Sequence, residues 1–125
     1  MKHIVVANEA PKAIGPYSHA VKAGNLVFVS GQIGLDPQTG TLVSDCVEEQ
    51  ARQAFLNLGS VLTAAGMDYS NVTKTTVFLK CLDDFAAVNA IYAEFFPTCY
   101  PARSCVEVSR LPKDALIEVE AIAAH

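Results

Sequence analysis

The chain has no tryptophan, only three histidines, and only 18% charged residues in a length of 125. Each scarcity removes a class of function. His3, His19 and His125 lie far apart in sequence, so neither a histidine metal site nor a histidine-activated nucleophile is supported. Cys46, Cys81, Cys99 and Cys105 show no C-x-x-C spacing, and the first residues, Met1-Lys2-His3-Ile4-Val5-Val6, lack the apolar stretch of a secretion signal. Free thiols in a cytoplasmic protein are therefore expected, rather than disulfides or zinc. No Lys/Arg cluster occurs, net charge is -4 and the pI is about 5.2, which argues against nucleic acid or an anionic membrane as the main partner. Apolar runs are too short to span a bilayer. There is no P-loop, G-x-G-x-x-G, G-x-S-x-G or H-E-x-x-H, so nucleotide, hydride-transfer and zinc chemistry have no anchor, and no cofactor is expected.

Apolar residues, by contrast, are abundant. They make up 51% of the chain, and mean hydropathy is +0.28. A chain of this length is one domain with much surface to cover, so the excess points to burial against other copies of itself.

Strands are expected at Lys2–Val6, Tyr17–Lys22 and Leu26–Ser30, the last apolar enough to be buried on both faces and ending at Gly31-Gln32. Ala10–Pro16 and Asp36–Gly40 read as loops. Val47, Ala51, Ala54, Phe55, Leu58, Val61, Leu62 and Ala65 follow helical spacing, with Asp45 as N-cap, Gly66 beyond the C-terminus and a solvated face of Glu48, Glu49, Arg52, Gln53 and Asn57. Val72–Leu82 reads as a β-branched strand. A second helix follows Asp83-Asp84, with Phe85, Val88, Tyr92 and Phe95 as its buried stripe and Pro97 as its stop. Strands Arg103–Ser109 and Leu116–Ala123 flank the turn Leu111–Asp114. The order β-β-β-α-β-α-β-β describes an α+β fold, one sheet with both helices on one face and the other face left bare.

Arg103 opens an otherwise apolar strand. Either Glu107 pairs with it, or its planar fork awaits a carboxylate or phosphate. In Leu116–Ile122, Glu118 and Glu120 alternate with Ile117 and Val119 and share a face. If Leu111–Asp114 is a hairpin, Arg103 and Glu118 lie on adjacent antiparallel strands, as a catalytic pair or as a plain surface charge ladder. Cys105 shares Arg103's face. A neighbouring cation favours a thiolate, but with no base beside it the better reading is a small buried hydrophobe. Tyr17 reads as a substrate-facing ring or a core aromatic with a wet hydroxyl. Ser30-Gly31 ends a strand where a ligand can approach the backbone.

Taken together, Ala13-Ile14-Gly15-Pro16-Tyr17-Ser18, Ser30-Gly31-Gln32-Ile33, Val72–Phe78, Pro101–Val108 and Leu111–Asp114 followed by Ile117–Ala123 resemble the reactive-intermediate deaminase (Rid) family, its RidA branch in particular. The resemblance covers the chain in order and implies a single Rid-type domain over residues 1–125 with a chorismate-mutase-like fold. It also implies a homotrimer with active sites in the clefts between subunits. The implied reaction is hydrolysis of 2-imino acids, such as 2-iminobutanoate and 2-iminopropanoate released by pyridoxal-phosphate enzymes, to 2-keto acids and ammonia. By motif, Arg103 would bind the substrate carboxylate and Glu118 would handle the water, while Tyr17, Ser30, Gly31, Asn89 and Cys105 would line the pocket. His19 stands where relatives often have Gln, and it is placed at the rim of the cleft.

The sparse residue set suits this chemistry. An imine is already electrophilic, so orienting the acid, placing a water and stabilising charge are enough without a metal. Two other classes remain: a regulatory module that binds small carboxylates without turnover, and an RNA-directed ribonuclease or translation inhibitor, against which the acidic pI counts.

Overall fold

In a computed structural model describing residues 1–125, the elements run β1 (Lys2–Val5), β2 (Ala20–Ala23), β3 (Leu26–Ile33), α1 (Val47–Ala64), β4 (Val72–Leu79), α2 (Phe85–Phe95), β5 (Ala102–Glu107) and β6 (Ile117–Ala124). This is the expected order. All strands join one six-stranded sheet in the order β1-β2-β3-β6-β4-β5. The sheet is mixed: β5 pairs parallel with β4, and every other pairing is antiparallel.

Both helices cover one face. α1 buries Ala51, Phe55, Leu58 and Leu62 completely, against Val27, Val77, Ile117 and Val119 of the sheet. Phe55 meets Phe95 of α2 at 5.3 Å and Tyr92 edge-on at 5.6 Å, which locks the helices together. Gly66, at φ 76°, closes α1 with paired bonds from its own N–H to Thr63 and from the Met67 N–H to Leu62.

The structure corrects several expectations of the fold. The N-cap is Cys46, not Asp45, and the Ser44 hydroxyl accepts the Cys46 N–H at 3.0 Å. Asn57 is not solvated. It is buried and donates to the Ile33 and Leu35 carbonyls at 3.0 and 2.9 Å, because those groups leave the ladder at the end of β3 and need a donor. β3 is buried on one face only: Val27 and Val29 are covered, while Leu26 and Phe28 stand 37% and 44% exposed on the bare face. The largest correction is topological. Leu111–Asp114 is not a hairpin, and β5 does not touch β6, since β4 lies between them. The unit β4-α2-β5 is a crossover that seats β5 parallel beside β4 at the sheet edge. β6, with Ile117, Val119, Ala121 and Ala123 all buried, takes the central slot. Lys113 and Asp114, both at φ 56°, turn the connecting chain.

Candidate active site

Register fixes the face on which each candidate sits. Arg103 lies opposite Thr75 of β4, and Thr75 is fully buried beneath α2, so Arg103 projects from the helix-covered face. Glu118 lies opposite Phe78, on the bare face, as does Glu120 opposite Thr76. Arg103 and Glu118 of one chain thus belong to opposite faces of the sheet. The expected single-chain pair is not formed, because it depended on the hairpin that β4 displaces.

The Arg103 side is an exposed hollow under α2. One guanidinium nitrogen donates to Asn89 Oδ1 at 2.8 Å. The guanidinium carbon lies 4.7 Å from the centre of the Tyr92 ring and 5.3 Å from that of Phe85. The Tyr92 hydroxyl is hydrogen-bonded to Thr75 Oγ1 at 2.8 Å. Tyr100 and Pro101 complete the wall. No carboxylate pairs with Arg103. Glu107, the one candidate, instead accepts the Leu82 N–H at 2.8 Å, and the chain's ion pairs are Arg52–Glu94 and Arg110–Asp114. Cys105, two residues along on the same face, packs partly against the core. Burial raises its thiol's pKa and Arg103 opposes the rise, which leaves a neutral thiol rather than a nucleophile.

The Glu118 side is a cleft bounded by Tyr17, Gly31, Pro112 and the lysines Lys12 and Lys113. A β-bulge makes room for it. Between Val29 and Gln32, β3 spends one residue more than β6, at Ser30-Gly31. A side chain at Gly31 would collide with the Glu118 carboxylate, so the glycine makes room for that carboxylate by contact rather than by backbone angle. Ser30 faces away from chemistry: its hydroxyl donates to the Ser18 carbonyl at 2.6 Å and ties the bulge to the preceding loop. Burial raises the Glu118 pKa above the ordinary carboxylate value, and nearby Glu120 raises it further. Tyr17 is half exposed at the rim. His19 is buried and structural. Its Nδ1 accepts the Ala7 N–H at 3.0 Å, so the proton sits on Nε2, which donates to the Pro11 carbonyl at 2.8 Å.

The predicted residues therefore divide into two groups, Arg103, Asn89 and Cys105 on one side and Tyr17, Ser30, Gly31 and Glu118 on the other. Sequence reasoning assigned Phe85 and Tyr92 only to the core and missed Lys12 and Lys113. The spacing Phe85-x-x-x-Asn89-x-x-Tyr92, one face of a helix preceding an Arg-bearing strand, was the available signal for the first pair.

An unpaired arginine fork thus lies on one face of the sheet and a half-buried carboxylate on the other. A model of the family described as endoribonuclease L-PSP matches residues 7–125. The chain belongs to that family. It is 53% identical over 98% of its length to the chloroplastic Reactive Intermediate Deaminase A of Arabidopsis thaliana, of which it spans 65%. It is 48% identical over 98% of its length to the human 2-iminobutanoate/2-iminopropanoate deaminase, covering 90% of that protein. Among solved structures, TdcF of E. coli with bound serine superposes at a TM-score of 0.94, with 46% identity and 98% of each chain covered. The Rid resemblance carried by the motifs is thereby borne out, and with it the chorismate-mutase-like architecture. No helix of this L-PSP-family chain is long and apolar enough to cross a membrane.

Proposed function

We propose that this L-PSP-family protein hydrolyses small 2-imino acids, 2-iminobutanoate and 2-iminopropanoate among them, to 2-keto acids and ammonia, in active sites shared between subunits of a homotrimer. The observation that carries this reading is the division of the site: an unpaired Arg103 on one face and Glu118 on the other. Neither half suffices for the reaction, and a second copy brings its Arg103 side to the first copy's Glu118 side. The bare sheet face favours such packing, since Ile4, Phe28 and Val106 are 62%, 44% and 43% exposed on it. Serine in the TdcF relative has a carboxylate and a nitrogen on one carbon, the same connectivity as a 2-imino acid. The four free thiols suit a reducing cytoplasm.

Arg103 grips the substrate carboxylate with two parallel N–H donors. This fixes C2 of the imine over Glu118. The carboxylate takes a proton from a water as the water oxygen bonds to C2 and the C=N pair moves to nitrogen. That nitrogen receives the proton from Glu118, which gives a carbinolamine. Collapse forms the C=O bond and breaks the C–N bond, while the hydroxyl proton passes through Glu118 to the departing ammonia. Glu118 ends ionised, so no outside acid or base is consumed. Its raised pKa makes it a better proton acceptor than a solvated glutamate. RNA cleavage, which the family description names, finds no basic stripe here at a net charge of -4.

The test is a coupled assay. Threonine dehydratase generates the imine, and keto-acid formation is followed with and without this protein. Acceleration abolished by Glu118→Gln is expected. A purified trimer that leaves the rate unchanged would overturn the proposal in favour of a binding module.

A further inference from the structure

One face of α2 carries Phe85, Asn89 and Tyr92 at spacings of four and three, and all three touch the same guanidinium. Core packing alone does not require this. Phe85 is 38% exposed, Asn89 is exposed and spends its side-chain oxygen on Arg103, and only Tyr92 is buried. Tyr92 is itself fixed at its far end by Thr75, the residue directly opposite Arg103 on the neighbouring strand. The strand position of Arg103 and the ring beneath its head group are therefore set by one pair, Thr75 and Tyr92.

We infer that α2 is a positioning element whose Phe85–Asn89–Tyr92 face holds the Arg103 fork in the orientation that meets a carboxylate, and that Asn89 acts through Arg103 rather than on the substrate. This inference rests on the carboxylate-clamp reading of Arg103. An arginine side chain left free at a sheet edge must give up rotamer freedom each time it binds, and ordering it in advance lowers that cost. The ring faces attract the cation without using up its N–H donors. Asn89 engages one terminal nitrogen, which leaves the other N–H groups for the ligand. An acid in place of Asn89 would do the opposite, since it would neutralise the fork that the substrate needs.

Two measurements separate the cradle from the clamp. The first is ¹⁵N relaxation of the Arg103 Nε–H group in the free trimer, which needs no substrate. Arg103 should be rigid in wild type and in Tyr92→Phe, which keeps the ring, and mobile in Tyr92→Leu and Asn89→Leu. Asn89 is exposed, so Asn89→Leu serves even if Tyr92→Leu does not fold. The second is titration with 2-oxobutanoate. Affinity should fall about fivefold in Asn89→Leu and Tyr92→Leu, the scale of one cation–π contact or one hydrogen bond. It should fall further in Asn89→Asp, although that variant keeps Arg103 rigid. In turnover, Asn89→Leu should raise KM more than it lowers kcat. If Arg103 stays rigid in both leucine variants, the cradle is overturned whatever the catalytic result. If Arg103 loosens while 2-oxobutanoate binding is unchanged, the cradle stands and the clamp reading falls.

Discussion

The Arg103 side and the Glu118 side of the sheet are built by opposite strategies. Arg103 sits on an edge strand and is held by side chains alone, one of them an exposed asparagine. Glu118 sits on the central strand, in a cleft made by a backbone bulge and a missing side chain. Buried polar ties hold the backbone around it. Gln50 accepts the Leu116 N–H at 2.8 Å just ahead of β6, and Asn57 holds the end of β3. Arg103 is thus held in place yet accessible, and the Glu118 carboxylate is partly desolvated. Desolvation lets a carboxylate take a proton from water, whereas the same treatment would cost an arginine without a partner dearly.

The most decisive way to break this comparison is to give each defect to a different subunit. Arg103→Ala and Glu118→Gln should each lose about a hundredfold or more in imine hydrolysis, the range for a positioned acid–base or charge-stabilising group. If the protein is the proposed trimer, oligomers from co-refolding the two variants in equal amounts should recover about a quarter of wild-type activity, because a site shared across subunits is intact wherever its Arg103 comes from a Glu118→Gln copy and its Glu118 from an Arg103→Ala copy. Recovery of none would mean that both residues act within one chain, contrary to the topology.

That topology is also where the sequence stopped being legible. Element order, both helices and the bare face followed from periodicity and from Gly66 and Pro97, because burial and capping are local. The alternation of Glu118 with Ile117 and Val119 was readable for the same reason. Strand neighbours are not local. Nothing in Leu111-Pro112-Lys113-Asp114 announces that consecutive strands will be parted by an earlier one, although the buried pattern of β6 against the exposed pattern of β5 marks centre and edge. Tyr92 was read as core, which it is, but that its face would carry Arg103 depended on the same strand order. Asn57 looked solvated because a helix pattern does not reveal the orphan carbonyls of another element.

The Glu118 half should also be sensitive to a single methyl group. Gly31→Ala should displace the carboxylate and cut turnover about tenfold or more, since catalysis depends steeply on position. Its melting temperature should hold, because the displaced group is the far end of a side chain. Stability should instead separate the two halves through their ties. Gln50→Leu leaves the half-buried Leu116 N–H without its partner and should cost about 1–3 kcal/mol in denaturant unfolding. Asn89→Leu, on the exposed half, should lie within about 0.5 kcal/mol of wild type. Equal losses would mean that the halves are not built differently after all.

The smallest expected effect lies within one strand. Glu120 shares the bare face with Glu118 and raises its pKa, second to burial. Glu118 must be ionised to accept a proton, so activity should fall as pH drops through its raised value. Glu120→Gln removes a like charge, lowers that value and should shift the acid limb of kcat/KM to lower pH, with the rate at neutral pH nearly unchanged. An acid limb that stays in place would assign it to a group other than Glu118. The same shift has a consequence for folding of opposite sign to the catalytic one. A carboxyl whose pKa is higher in the folded chain than in the unfolded one contributes stability in full below the unfolded value, and that contribution is lost as pH rises through the folded value. The ionised Glu118 is thus the form the fold disfavours and the proposed reaction needs. Glu118→Gln should therefore melt no lower than wild type at pH 7 while losing turnover. A clear fall in melting temperature for that variant would overturn the view that the fold disfavours the ionised carboxylate.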